Sequence, residues 1–388
     1  MKIETIDTHA VTYGTGRYTM SFLFVRVVGD DGTVGWGESC DSYGCSYAPV
    51  VATAIDEVFA PLLLGADLDV VDPLADRLRL TTRRRLGDSW VAAQARAGLE
   101  IALWDLLGQA ERRSVSSLVG RVRDDVEIYA SGAFLEEGDA DHHLAALAPL
   151  LDRGVTKVKL RTGPDWSADL DTLAEVAGRL GSDVELMIDA SETYTLPTAR
   201  RLADRLGDLG VAWIEEPLPQ GARAGIEALV AHSPVPVAYG EHLFGADEAL
   251  DAMRLRQLDV LQPDASTAAG ISEARRMALA AAGFGVRVVP HVCAGPISLA
   301  ANLQLAATVP GIRLVEYPPS LVAMWDLFGT GAIVTLDAIV DGRLRIPDDP
   351  GLGVGVDATQ ISTHPYQPLG TRVAGTTTGL PDRFVGDR

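Results

Sequence analysis

From about residue 126 onward the chain alternates short β-like runs with helical patterns, and nothing else in the sequence restricts its fold as much. The runs are VEIYASG, TKVKLR, VELMIDAS, VAWIEEP, VPVAYGEH, LDVLQPD, VRVVPHV and IRLVEYP. Between them lie segments such as ADLDTLAEVAGRLG and SEARRMALAAAGFG, whose apolar residues recur at three- and four-residue spacing and which end in Gly. Strands separated by helices imply a parallel sheet. Eight such units in about 195 residues fit a (β/α)8-type barrel better than an open doubly wound sheet.

The flanks read differently. Residues 1–122 open with a hairpin-like piece, FLFVRVVGDDGTVGWGES, and continue in helical patterns, so they form an α+β domain of their own. The barrel is expected over 123–322. Residues 323–370 carry a strand and the Gly/Pro-rich RIPDDPGLGVGVD, and 371–388 read as a flexible tail.

Each barrel strand after the first ends on a residue that core packing does not explain: Lys159, Asp189, Glu215, Glu241, Asp264, His291 and Glu316. Their separations of 30, 26, 26, 23, 27 and 25 residues match one βα unit, so all seven converge on the C-terminal mouth, where barrels of this kind hold their active sites. Any one of them could be a helix cap satisfied by backbone N–H groups. Seven in succession are improbable as independent caps. Asp189, Glu215 and Glu241 offer three hard oxygen ligands on adjacent strands, which suits Mg2+ rather than zinc, one ion per site. Asp264 beside His291 would fix the ring's tautomer and make it an acid/base group.

The second run, GVTKVKLRTG (154–163), sets Lys157, Lys159 and Arg161 at alternate positions. Only three of 33 basic residues are lysines, Lys2, Lys157 and Lys159. A desolvated ammonium near another cation can lose its proton where a guanidinium cannot, so Lys159 is a candidate base; an ordinary edge strand is the alternative. Two bases on opposite faces of a metal-bound substrate suggest proton chemistry at a carbon next to a carboxylate.

Composition removes several other classes. The net charge of −20 would repel a nucleic acid, and the short basic cluster TTRRRLGD (81–88) reads as a solvated or intersubunit face. No apolar run approaches the roughly 18 residues of a membrane span. The start, MKIETIDTHAVTY, lacks a secretory pattern, which makes the cytoplasm the expected compartment. Cys40, Cys45 and Cys293 have neither the parity of a disulfide framework nor zinc-site spacing.

DDGTVGWGE, GLEIALWDLLG, K-x-K, IDA, WIEEP, GE, LQPDAS, VPHV and PDDPGLGVGVD together resemble the mandelate racemase branch of the enolase superfamily, alongside muconate lactonizing enzymes, over nearly the whole chain. The resemblance implies an α/β fold: a modified TIM barrel, (β/α)7β, with an N-terminal α+β capping domain completed by the C-terminal segment. It implies Lys159 as base, Lys157 as a neighbour that lowers its pKa and contacts the substrate carboxylate, and Asp189, Glu215 and Glu241 as metal ligands. Asp264 and His291 match the dyad, and Glu316 matches a Glu that hydrogen-bonds that carboxylate. Glu216 and His242 are secondary candidates for binding substrate. Two mobile cap loops would bring Arg17, Tyr18, Tyr43 and Tyr47 to the mouth. The chain departs from its relatives at Ser191, where many carry Asn, at Arg161, an added charge, and at Cys293 near the pocket.

The leading reading is a Mg2+-dependent sugar-acid dehydratase acting on a small carboxylate substrate, in a homo-oligomer. The runner-up is an isomerase of the same fold, either a racemase/epimerase or a sugar-lactone cycloisomerase. A non-catalytic barrel retained for binding would not be expected to keep all seven polar strand ends.

Overall fold

The computed structural model describes residues 1–14, 19–40 and 47–368. Three antiparallel strands open the chain, β1 (Ile3–Tyr13), β2 (Met20–Gly29) and β3 (Val34–Ser39). The β2–β3 connection is the hairpin expected at GDDGT, with Val28 opposite Val34. The sheet lies on the helix Val91–Glu111, which is buried from Ala92 to Gly108. The approach is so close that a Cβ on Gly37 would fall 1.9 Å from the Gly98 carbonyl oxygen, so the strand must be glycine there.

Eight parallel strands follow: β4 (Asp125–Phe134), β5 (Lys157–Arg161), β6 (Glu185–Asp189), β7 (Ile214–Glu215), β8 (Val237–Tyr239), β9 (Val260–Leu261), β10 (Arg287–Val288) and β11 (Leu314–Tyr317). Each pairs with the next from β4 to β10, and β11 returns to pair with β4. The remaining gap is bridged by Glu316 N–H donating to the Pro290 carbonyl at 3.2 Å. Seven helices lie between the eight strands, the (β/α)7β arrangement. Tyr129, Met187, Trp213, Ala238, Val260, Val289 and Leu314 fill the barrel interior, whereas Val158 and Leu160 point the other way into the larger core beneath the helices.

Downstream, Arg343–Arg345 pairs antiparallel with the start of β4. The chain then returns to the N-terminal unit, where Gly351 bridges Ser114 and Pro365 bridges Val11. Arg83, Arg84 and Arg85 are exposed on the helix Val71–Leu86. Among the described residues no helix is long and apolar enough to cross a membrane. The tail expected over 371–388 lies outside the described residues.

Three buried carboxyl groups tie the N-terminal unit to the rest. Glu38 accepts N–H bonds from Gly295 and Ser298 at the start of the helix Pro296–Thr308. Glu100 accepts from Ile271 and Ser272, at 2.8 and 2.9 Å, at the start of the helix Ile271–Ala281. Asp105 joins Trp36 N–H to Leu352 N–H, at 2.8 and 2.9 Å. Each binds otherwise orphaned backbone donors. Burial outweighs those bonds and pushes Glu38 up to about 8, Glu100 to about 7 and Asp105 to about 6.

A folded pKa raised above the unfolded one means that the native state keeps a proton the unfolded chain releases, so stability falls as pH rises through that interval. For Glu38 the interval runs from 4.5 to about 8. Urea midpoints should therefore decline from pH 5 to pH 8, and Glu38→Gln should flatten the decline. An unchanged slope in that variant would mean the carboxyl ionises normally.

Candidate active site

The parallel register sets the height of each side chain in the barrel. Arg161 is opposite Asp189, and Asp189 is opposite Glu215, so these three share the last row of β5, β6 and β7. Lys159 pairs with Met187 one inward-facing layer below. The sequence pattern ends the strand at Lys159; in the structure it continues to Arg161, so Lys159 lies inside the barrel over the Tyr129 ring, 5.6 Å from its centroid. Lys157 is lower still. Its ammonium pairs with Glu127 at 2.5 Å, near the start of β4. That corrects its expected role: Lys157 stands at the opposite end of the strand from the mouth and cannot touch a substrate carboxylate held there.

Lys159 has no exposed surface, and its Nζ lies 2.5 Å from Glu215 Oε1, 2.9 Å from Glu316 Oε1 and 3.6 Å from Asp189 Oδ2. Burial alone would favour the neutral amine, but the carboxylates of Glu215 and Glu316 together outweigh it and hold the pKa well above an ordinary lysine. Glu316 is correspondingly held down to about 2; burial works against this, and Lys159, His291 and Arg161 overcome it.

Asp264 orients His291. Its Oδ1 accepts from Ser266 N–H and Oγ–H and from Asn302 Nδ2–H, at 2.8, 2.6 and 3.0 Å, which leaves Oδ2 to meet His291 Nδ1 at 3.0 Å. A carboxylate only accepts, so Nδ1 carries the proton and Nε2 faces the centre, 3.4 Å from Glu241 Oε2 and 3.9 Å from Glu316 Oε2. Cys293 stands beside this ring, as its place in the sequence suggested.

Ser191 donates its N–H and hydroxyl to Asp189 Oδ1, at 2.8 and 3.0 Å. Ser191, Glu192 and Glu216 all adopt left-handed backbone, with φ of 45°, 58° and 40°, strain concentrated at the mouth. His242 Nδ1 lies 3.1 Å from Glu216 Oε1, and the pKa of this ring is pushed up to about 10, its burial outweighed by Glu216. Arg17, Tyr18 and Tyr43 lie outside the described residues, and Tyr47 is exposed at the start of the helix Ala48–Ala54. Nothing in the sequence pattern points to Trp90. It is half-exposed, has φ of 46°, and packs on His242 and Phe244 at centroid distances of 5.4 and 4.8 Å.

The donor chemistry suits a hard divalent cation. Asp189, Glu215, Glu216, Glu241, Asp264 and Glu316 are six buried carboxylates facing Lys159, Arg161 and two imidazoles, a formal excess of −2 even with both rings protonated. Burial and the charge of Glu216 push Glu241 up to about 7, the sign of a carboxylate short of cations. Among the described residues, the group whose ligand atoms all lie within 4.8 Å of one another is Glu192, Glu216 and His242, adjoining the expected trio on the same strand ends.

Residues 4–120 match the mandelate racemase / muconate lactonizing enzyme N-terminal domain, and residues 143–360 match the enolase C-terminal domain-like family. The chain belongs to the mandelate racemase/muconate lactonizing enzyme family of the enolase superfamily. It is 31% identical to the D-galactarolactone cycloisomerase of Agrobacterium fabrum, across 93% of this chain and 98% of that one. It is 30% identical to the arabinonate dehydratase of Saccharolobus solfataricus, across 88% and 89%. Among solved structures, the 3,6-anhydro-D-galactonate cycloisomerase from Zobellia galactanivorans superposes with a TM-score of 0.84 at 27% identity, covering 95% of this chain and all of the other. A member of the enolase superfamily from Polaromonas sp. JS666 gives 0.86 at 26% identity, covering 95% and 98%. Together with its strand-end carboxylates and dyad, these relatives make this family member an enzyme.

Proposed function

We propose that this enzyme removes the proton α to the carboxylate of a sugar acid and expels the β-hydroxyl as water, giving a 2-keto-3-deoxy acid, with Mg2+ held by Asp189, Glu215 and Glu241. One observation carries the reading: His291 is locked by Asp264 through Nδ1, so that its Nε2 opens onto the ring of carboxylates at the mouth. Nε2 takes the α-proton, the electrons of that C–H bond form a C=C bond, and the β C–O bond breaks. The departing hydroxide takes the proton back from the ring as water, and the enol tautomerises to the ketone. When bound, the cation supplies an electrostatic sink for the charge that builds on the substrate carboxylate and offsets the carboxylates that hold a proton on His291.

A second reading, a sugar-lactone cycloisomerase, is favoured by the cycloisomerases among the relatives. There the β-oxygen that leaves is a ring oxygen and stays tethered to the product. Incubating the enzyme with Mg2+ and a panel of aldonates, aldarates and their lactones in D2O separates the two. Dehydration gives a keto-deoxy acid carrying solvent deuterium at C3; cycloisomerisation gives an opened acid with no loss of water. Mg2+ should also raise the melting temperature. Neither product nor exchange from any acid or lactone would sink both readings.

A further inference from the structure

We propose that Arg161 is the residue β5 presents to the substrate, as a clamp for a carboxylate or its neighbouring hydroxyl, and that proton transfer runs on the His291 face alone. The inference rests on the proton-abstraction reading above and narrows it, because a single acid/base face permits elimination or ring opening but not racemisation.

Height along the strand is the first argument. Arg161 is level with Asp189 and Glu215, whereas Lys159 sits a layer lower beside Met187 and Tyr129. Exposure is the second. The Arg161 side chain keeps 19% of its surface open, and Lys159 keeps none. The third is pairing. Three carboxylates surround the ammonium of Lys159, at 2.5, 2.9 and 3.6 Å, and it donates a hydrogen bond to the nearest of them, Glu215. Arg161, by contrast, makes one ion pair among the described residues, from Nε to Asp189 Oδ2 at 3.5 Å, and lies over the Phe134 ring at 5.9 Å. Its terminal nitrogens form a planar fork of the shape that binds a carboxylate through two parallel N–H bonds. A guanidinium donates hydrogen bonds but does not accept a proton, so β5 contributes charge and orientation rather than a base.

Two measurements test this. In D2O with Mg2+, each acid is offered beside its C2 epimer: galactonate with talonate, gluconate with mannonate, arabinonate with ribonate. The native enzyme should react with, or wash deuterium into, one epimer of a pair only, with no interconversion. Exchange of both epimers overturns the inference. Separately, binding of tartronate, an unreactive hydroxy-dicarboxylate, is measured by calorimetry with Mg2+ present. Arg161→Met should weaken it at least tenfold and raise KM more than it lowers kcat, and Arg161→Lys, which keeps the charge without the fork, should recover part of the loss. Tartronate affinity unchanged in Arg161→Met overturns the clamp. If no acid exchanges at all yet tartronate binding still depends on Arg161, proton abstraction fails while the clamp stands.

Discussion

Replacing His291 with Asn should leave a folded protein whose turnover of its sugar acid, and α-proton exchange with it, drop by about 10²–10⁴-fold, the range a positioned general base supplies. The amide can still hydrogen-bond Asp264, so the four-partner arrangement around that carboxylate survives, but nothing at the old Nε2 position can take a proton. Asp264→Asn should be nearly as damaging for a different reason. The amide can donate to Nδ1, which would move the ring proton to Nε2 and aim a donor where an acceptor is needed. Exchange rates in D2O and melting curves on both variants separate chemistry from folding. Native turnover in His291→Asn would reassign the base.

Lys159→Met should lower the unfolding free energy by about 3–5 kcal/mol, the usual result of removing one partner from a buried ion cluster. Glu215, Glu316 and Asp189 would then share a dry interior with no ammonium among them. Urea denaturation in EDTA measures the loss directly. A loss under about 1 kcal/mol would show that these carboxyls are neutral, or that water reaches them, and would contradict the description of Lys159 as the barrel's internal cation.

Most of the mouth was legible in the sequence because its residues repeat at the length of one βα unit, and a polar residue at each repeat needs a reason. Side-chain parity placed Lys157, Lys159 and Arg161 on one face. Parity does not give height, however. Which of the three meets the substrate depends on where β5 stops, and that is set by its neighbours, Asp189 and Glu215, rather than by the strand's own residues. Glu100 and Asp105 were missed although a signal existed: both lie in VAAQARAGLEIALWDLLGQAE, where an otherwise apolar helix leaves a carboxylate no water and so demands a partner. Glu38 gave no such signal, because its partners are 257 and 260 residues away. Trp90 stands at the start of SWVAAQARAGLEIALWDLLGQA, which reads as helix, and only the fold reveals His242 beside it.

The carboxyl anchors of the N-terminal unit bear on how specificity could be re-engineered. Glu38 and Glu100 grip the helices that follow β10 and β9, the strands that lead to His291 and Asp264. A transplanted lid would thus arrive already indexed to the dyad, provided that it brought both glutamates and met the same two helix starts. Chimeras should tolerate almost no variation at these two positions, because the helix starts they hold follow the strands that carry the reacting pair.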